Sequence, residues 1–418
     1  MEKILLFVLS FIVFTSCTDT EELIINQQQP AEVLSTRRSY TEALDIAQRS
    51  ILMLNGDYVT RTVPNMRRID TNETKVIRAS AMTRSFSSNI DTLIYVFNFE
   101  NDEGFALVSA SKNTEGLLAV TEKGHLNPNE QTGIGGFDIL LENAKKYVLQ
   151  SAIPPIEPID SMISINVVDC ELDSIVGPYL SVRWGQGEPE GLYFPNYIAG
   201  CANTAMAQIM SYYNFPETIN LTYNKFERLA LNWPAMKTHH NSSHTVSDCN
   251  DATTHAMIGK LCRQLGKMNN SKFSLGSTNT QTDLYGGETL NTIGYNVGGW
   301  RSYSSSYVKS QLNQKHLLLM IGQLHGASGG HVWVLDGYRI IGPISYLYKK
   351  IGNGEWFLDD VIDRTVYYNH INWGFYGSNN GYYADNIFNM ALCYDADTDS
   401  NDFFYNFDWR LKILSVYK

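Results

Sequence analysis

The 418-residue sequence predicts an α+β protein in two globular parts. A small α+β unit with antiparallel strands precedes a larger domain whose helices come first and whose strands come last. Three observations support this. Hydrophobic residues make up 44% of the chain, enough at this length for more than one buried core. The apolar periodicity switches between three-and-four spacing and alternation. Pro154, Pro155 and Pro158 punctuate the chain between the two periodic regions.

The small unit begins with a helix over about Thr41 to Leu54, where Ala43, Leu44, Ala47, Ile51 and Leu52 fall on one face. Leu93 to Phe99 and Phe105 to Ser109 alternate as strands, and Asn101-Asp102-Glu103-Gly104 joins them as a hairpin turn. Leu117 to Thr121 is a third strand. Phe137 to Leu149 is amphipathic and helical. The expected boundaries are a signal segment over 1–17, a tether over 18–37, the small domain over 38–152, a linker over 153–176 and the second domain over 177–418.

The first residues predict export. Lys3 precedes an apolar run from Ile4 to Phe14, too short to span a bilayer and the right length for a signal core. Phe14-Thr15-Ser16-Cys17 ends in small residues before a cysteine, the pattern in which Cys17 is lipidated. Acidic Asp19, Glu21 and Glu22 follow, as in surface-exported lipoproteins. The expected address is the outer membrane or cell surface, with an N-terminal lipid as the sole membrane contact. Net charge is −11, from 32 basic and 43 acidic residues, which argues against a nucleic-acid partner. Six cysteines are present. With Cys17 lipidated, five remain, so at least one is expected to be free or reactive.

Gly200-Cys201 opens a segment of high helix propensity that must stop before Pro216. Cys201 therefore sits at a helix N-terminus. The dipole and unpaired N–H groups there favour the thiolate, and the same N–H groups can hold an oxyanion. A glycine-rich turn, Gly326 to Gly330, leads into His331 at the start of a core strand. A thiolate–imidazolium pair needs only a shared cleft, not sequence proximity. Asn372-Trp373-Gly374 closes a later strand and offers an amide to orient the imidazole and an indole to shield that bond from water. Gln186, in Trp184-Gly185-Gln186-Gly187, offers a second oxyanion donor. No cofactor and no metal is expected.

Together these stretches resemble the C10 cysteine peptidases, the streptopain family on the papain-like fold. The likeness runs from Trp184-Gly185-Gln186-Gly187 through Gly200-Cys201-Ala202-Asn203-Thr204-Ala205-Met206-Ala207-Gln208 and Gly330-His331-Val332-Trp333-Val334-Leu335-Asp336-Gly337-Tyr338 to Asn372-Trp373-Gly374 and Gly381-Tyr382-Tyr383. The resemblance implies Cys201 as nucleophile, His331 as base, Gln186 as oxyanion donor, and Asn372 with Trp373 orienting and covering the histidine. The small domain resembles that family's inhibitor-like propeptide, on Tyr95 to Phe99 and Gly104 to Ser109. That implies a zymogen whose propeptide blocks the cleft and is cut off in or near the linker. Protein or peptide substrates are the implied partners. Asn203, Pro189-Glu190 and Phe375-Tyr376 depart from the family's usual residues.

Two other functions use the same features. A non-enzymatic binding lipoprotein would keep the scaffold without turnover, and a thiol acyltransferase would use the same pair with an amine replacing water. A zinc site from His239, His240, His244, Cys249 and His255 matches no closed ligand spacing and is set aside.

Overall fold

Ala43, Ala47 and Ile51 recur on one face of the first periodic segment. In the structure, a computed structural model, that face is buried along helix α1 (Tyr40–Leu54). The structure describes residues 14–17, 36–54, 67–78, 92–130, 132–151, 164–223, 226–239, 251–323, 330–350, 357–388 and 411–418. The chain divides into two compact units. One comprises residues 1–34, 155–175 and 339–367, and the other residues 35–154, 176–338 and 368–418.

In the second of these units, β2 (Lys75–Arg78), β3 (Thr92–Asn98), β4 (Phe105–Ser109) and β5 (Leu117–Thr121) form an antiparallel run. Helices α1 and α2 (Gly135–Gln150) pack against it. The β3–β4 turn places Asn101, Asp102 and Gly104 at positive φ, as the turn residues predict. β2 is not among the strands that the alternation predicts. Its burial is slight, with Ile77 its one buried residue.

The rest of this unit places helices before strands. Helix α3 (Cys201–Tyr213) ends at Asn214 in the left-handed conformation, two residues before Pro216. After it come the pair β7 (Thr218–Leu221) and β8 (Glu227–Ala230), α4 (Trp233–His239) and α5 (Ala252–Met268). The hairpin β9 (Lys272–Ser274) and β10 (Ser277–Asn279) leads to α6 (Thr282–Ile293), short strands β11 (Asn296–Val297) and β12 (Arg301–Ser302), and α7 (Ser305–Asn313). Strand β13 (Leu317–Gln323), β14 (Gly330–Lys350) as far as Tyr338, β16 (Val366–Asn372) from Tyr368, β17 (Gly381–Ala384) and β18 (Lys412–Tyr417) complete it. Met206, Ile209, Leu261, Leu265, Leu319 and Val334 close one core between α3, α5 and the sheet.

Strand order is β11-β18-β13-β14-β16-β17-β5-β4-β3-β2. The small N-terminal domain and the larger domain therefore share one sheet. β17 pairs antiparallel with β5, with Gly381 opposite Thr121, Tyr382 opposite Val120 and Tyr383 opposite Ala119.

In the first unit, β1 (Phe14–Cys17) pairs antiparallel with β6 (Ser164–Val176), with Cys17 opposite Cys170. Ile344 to Lys349 of β14 pair with β15 (Phe357–Asp363). Arg339 makes a two-pronged ion pair with Asp173, with Nε donating to Oδ1 at 2.8 Å. β6 falls within the stretch read as linker from sequence. The proline cluster stops before it, and alternation resumes at Ser164.

Among the described residues no helix is long and apolar enough to cross a membrane. His240, His244, Cys249, Cys393 and the turn 326–329 lie outside the described residues. Cys201 and Cys262 carry free thiols.

Candidate active site

Helix α3 organises the site. Gly200, its N-cap, sits at φ +84°, and a Cβ there would lie 2.8 Å from the Thr278 carbonyl oxygen. Only glycine fits both the backbone angle and the space. Cys201 is the first residue of the helix and is half-buried, as the sequence predicts. Three buried polar side chains of α3 point to neighbouring loops. Asn203 Nδ2 donates to the Ala199 carbonyl at 2.8 Å and to Ser271 Oγ at 3.1 Å. Thr204 Oγ1 donates to the Gly185 carbonyl at 2.8 Å. Gln208 Nε2 donates to the Trp184 carbonyl at 3.2 Å and to Asn372 Oδ1 at 3.1 Å. With the Ala199 N–H donating to the Gln186 carbonyl at 2.7 Å, these bonds hold the Gln186 loop beside the nucleophile loop.

Strand β14 brings His331 to the same place. The Val332 N–H, one residue beyond His331, donates to the Cys201 thiol, as do the N–H groups of Ala202 and Cys201. Burial nonetheless outweighs these donors and pushes the Cys201 thiol above its ordinary value. His331 is buried among rings, 5.4 Å from Phe375, 6.0 Å from Trp333 and 6.2 Å from Trp373 between centroids. Burial pulls its imidazole down to about 4, partly opposed by its bond to the Trp373 carbonyl. Burial thus disfavours the charged form of both groups. That opposes the thiolate which the helix position alone favours.

The structure also differs in what orients His331. Nε2 bonds the backbone carbonyl of Trp373 at 3.0 Å. The Asn372 side chain is engaged elsewhere: Oδ1 accepts from Gln208 and from the Gly374 N–H at 3.1 Å, and Nδ2 donates to the Val182 carbonyl at 3.1 Å. Trp373 is fully buried and covers the imidazole, with its indole N–H donating to Tyr383 Oη at 3.1 Å. Asn372 thus braces the chain on either side of Trp373. Asn372→Ala is expected to cost about 1–3 kcal/mol of stability, because it strands buried partners, and less turnover than His331→Ala. Thermal melts and steady-state kinetics on both variants check this.

Two residues missed in the sequence reading complete the site. Gly136, at the start of α2 in the small domain, is seated on the histidine. A Cβ at Gly136 would fall 2.7 Å from the Trp373 ring and 2.8 Å from His331 Cδ2. Phe137 follows, with edge contacts to Trp373 and Tyr383, each at 6.3 Å between centroids. The Gly135-Gly136 pair before an amphipathic helix was the available signal.

Glu190 lies fully buried under the Gln186 loop, where the Gly185 N–H donates to its Oε1 at 3.4 Å. Burial pushes its carboxyl up to about 8, with backbone N–H groups opposing. A carboxyl raised on folding stabilises most below its unfolded value and loses that contribution as pH rises through the folded one. Stability should fall by roughly 1.4 kcal/mol per pH unit from about pH 4.5 to about pH 8. Glu190→Gln should remove this slope, which melting temperatures at about pH 5 and about pH 9 would read directly.

Residues 184–383 match the Peptidase C10 family, and residues 41–148 match the Spi protease inhibitor. The thiol protease/hemagglutinin PrtT of Porphyromonas gingivalis is 26% identical over 152 residues, 33% of this chain, and the match spans 17% of that protein's length. A prointerpain A fragment of Prevotella intermedia, in a mutant form, superposes with TM-score 0.49 at 17% identity, covering 83% of this chain and 98% of that one. Active wild-type interpain A of the same organism gives 0.36 at 19% identity, over 57% and 94% of the two chains.

Proposed function

We propose that this chain, a cysteine peptidase of the C10 family with a Spi-type inhibitor domain ahead of its catalytic domain, is an exported endopeptidase held latent by that inhibitor domain. One observation carries the reading: Gly136 lies against His331, where a substrate or water would have to enter. In this state burial disfavours charge on both thiol and imidazole. Departure of the inhibitor domain rehydrates His331 and returns its affinity for protons towards the ordinary range.

The reaction then follows from the residues in place. His331 takes the proton of Cys201, and the sulfur attacks the scissile carbonyl. The Cys201 N–H and the Gln186 amide stabilise the oxyanion. His331 passes its proton to the leaving amine. Water, deprotonated by His331, attacks the acyl-enzyme and regenerates the thiol. Asn372 and Trp373 position and cover the imidazole, through the Trp373 carbonyl in the latent state.

On this reading the maturation cut falls within 153–176, the inhibitor domain spans 38–152 and the catalytic domain 177–418. Cys17 carries the lipid that anchors the exported chain, with mass labelling by a fatty-acid analogue as its check. The experiment on the catalytic reading is labelling with a thiol-directed probe at pH near 7 before and after removal of the inhibitor domain. Cys201 should react slowly before and rapidly after. Equal rates in the two states would remove the case for latency. Hydrolysed peptides, rather than new isopeptide bonds, separate this reading from acyl transfer.

A further inference from the structure

A second buried charged cluster joins the two domains away from Cys201. His370 on β16 is almost fully buried, with Nδ1 2.6 Å from Asp336 Oδ1 on β14 and Nε2 3.2 Å from Oε1 of Glu122. Glu122 follows β5 in the inhibitor domain. Its other oxygen accepts from Arg183 at 2.9 Å, and Arg183 directly precedes Trp184 of the Gln186 loop. Asp336 Oδ2 accepts the Leu180 N–H at 2.9 Å, so the carboxylate behind His370 is itself held. The backbone around Glu122 is clamped as well. Its N–H donates to the Asn380 carbonyl at 2.6 Å, and the Asn379 N–H donates to the Lys123 carbonyl at 2.8 Å, prolonging the β5–β17 pairing.

The charges alternate along the cluster, from Asp336 through His370 and Glu122 to Arg183. Burial disfavours charge on His370, but the charge of Asp336 and its bonds to Asp336 and Glu122 raise it well above the ordinary imidazole range. Burial likewise opposes charge on Glu122, and His370, Arg183 and Arg67 outweigh it and hold the carboxyl well below the usual range. Tyr382 stacks edge-on against His370 at 5.0 Å, and Tyr383 is a further titratable neighbour of Glu122. Withdrawing Glu122 would leave His370 with Asp336 as its one carboxylate partner and would strip Arg183 of the carboxylate it donates to, in a site with little water.

We propose that Arg183, His370 and Asp336 form a socket for a carboxylate carried at the end of an added β-strand, and that Glu122 in this socket keeps the inhibitor domain docked. The inference rests on the zymogen reading for its biological meaning, but not for its test. A depressed carboxyl contributes above its ordinary value and loses that contribution as pH falls through the depressed one. The hold therefore weakens in acid, below about pH 4.5.

The test uses the full chain carrying Cys201→Ala, so that no self-processing intervenes, and measures amide hydrogen exchange. Glu122→Gln and Arg183→Gln should each speed exchange at β17 by about tenfold or more, with β13 amides unchanged. The double variant should do little more than either alone, as coupled partners require. After correction for intrinsic rates, β17 exchange in the parent should quicken between about pH 5 and about pH 3, and Glu122→Gln should flatten that rise. Unchanged β17 protection in Glu122→Gln, or simple additivity in the double variant, would overturn the socket. Because nothing here depends on turnover, a failed peptidase reading would show separately, as an inert chain with an intact coupling.

Discussion

Cys201→Ala is expected to lower kcat/KM by about four orders of magnitude or more while leaving the fold in place. The sulfur is half-buried and receives N–H groups from Val332, Ala202 and Cys201 itself. Its replacement removes one atom at the start of α3, at the margin of the core, while the helix stays anchored by Ala202, Ala205, Met206, Ala207, Ile209 and Met210. His331→Ala should cost a similar amount. The double variant should be little worse than either single one, because nucleophile and base act as a unit. Circular dichroism would verify the fold, and steady-state hydrolysis of an unstructured protein by the processed enzyme would read the loss. Independent, multiplying losses would mean that the two side chains do not act on one proton.

Gly136→Val should have the second largest effect, in the opposite direction. The added carbons would meet the Trp373 and His331 rings, both locked by packing and neither a flexible end that can swing aside. Overpacking of this kind costs about 1–3 kcal/mol. Here the cost falls on the contact between inhibitor and catalytic domains, because the atoms nearest to that position are those of Trp373 and His331. A loss of this size shifts the docked population about fivefold to more than a hundredfold. Latency should shorten accordingly, read as the lag before the full chain gains activity. Phe137→Ala is a less clean probe, since Phe137 also packs on Phe105 within its own domain. A lag unchanged in Gly136→Val would place the block elsewhere.

Local signals carried much of this arrangement. Gly200-Cys201 before an alanine-rich run placed the start of α3, because a helix start is written in neighbouring residues. The same holds for β4, β5 and α1. His331 was readable from the glycine turn before it, although that turn lies outside the described residues. What orients His331 was not readable. Asn372 and the Trp373 carbonyl are one residue apart, and which of them faces the imidazole depends on Gln208 taking the amide first. The protonation state was misleading for a similar reason: a helix end is local, whereas burial of Cys201 and His331 is a property of the assembled molecule. Glu122 and His370 are 248 residues apart, and each alone reads as an ordinary strand residue. Strand pairing between β5 and β17 is what makes them partners.

On the proposed reading, the chain's own N-terminal domain imposes latency on Cys201 and His331. The most direct test is mass spectrometry of residues 18 to 418, incubated under reducing conditions beside the Cys201→Ala form. The wild-type chain should shorten by the mass of the segment ahead of the catalytic domain, with its cut between residues 153 and 176, and the alanine form should stay intact. Shortening of both forms alike, in the absence of any added protease, would contradict the account, because the cut would then not depend on Cys201.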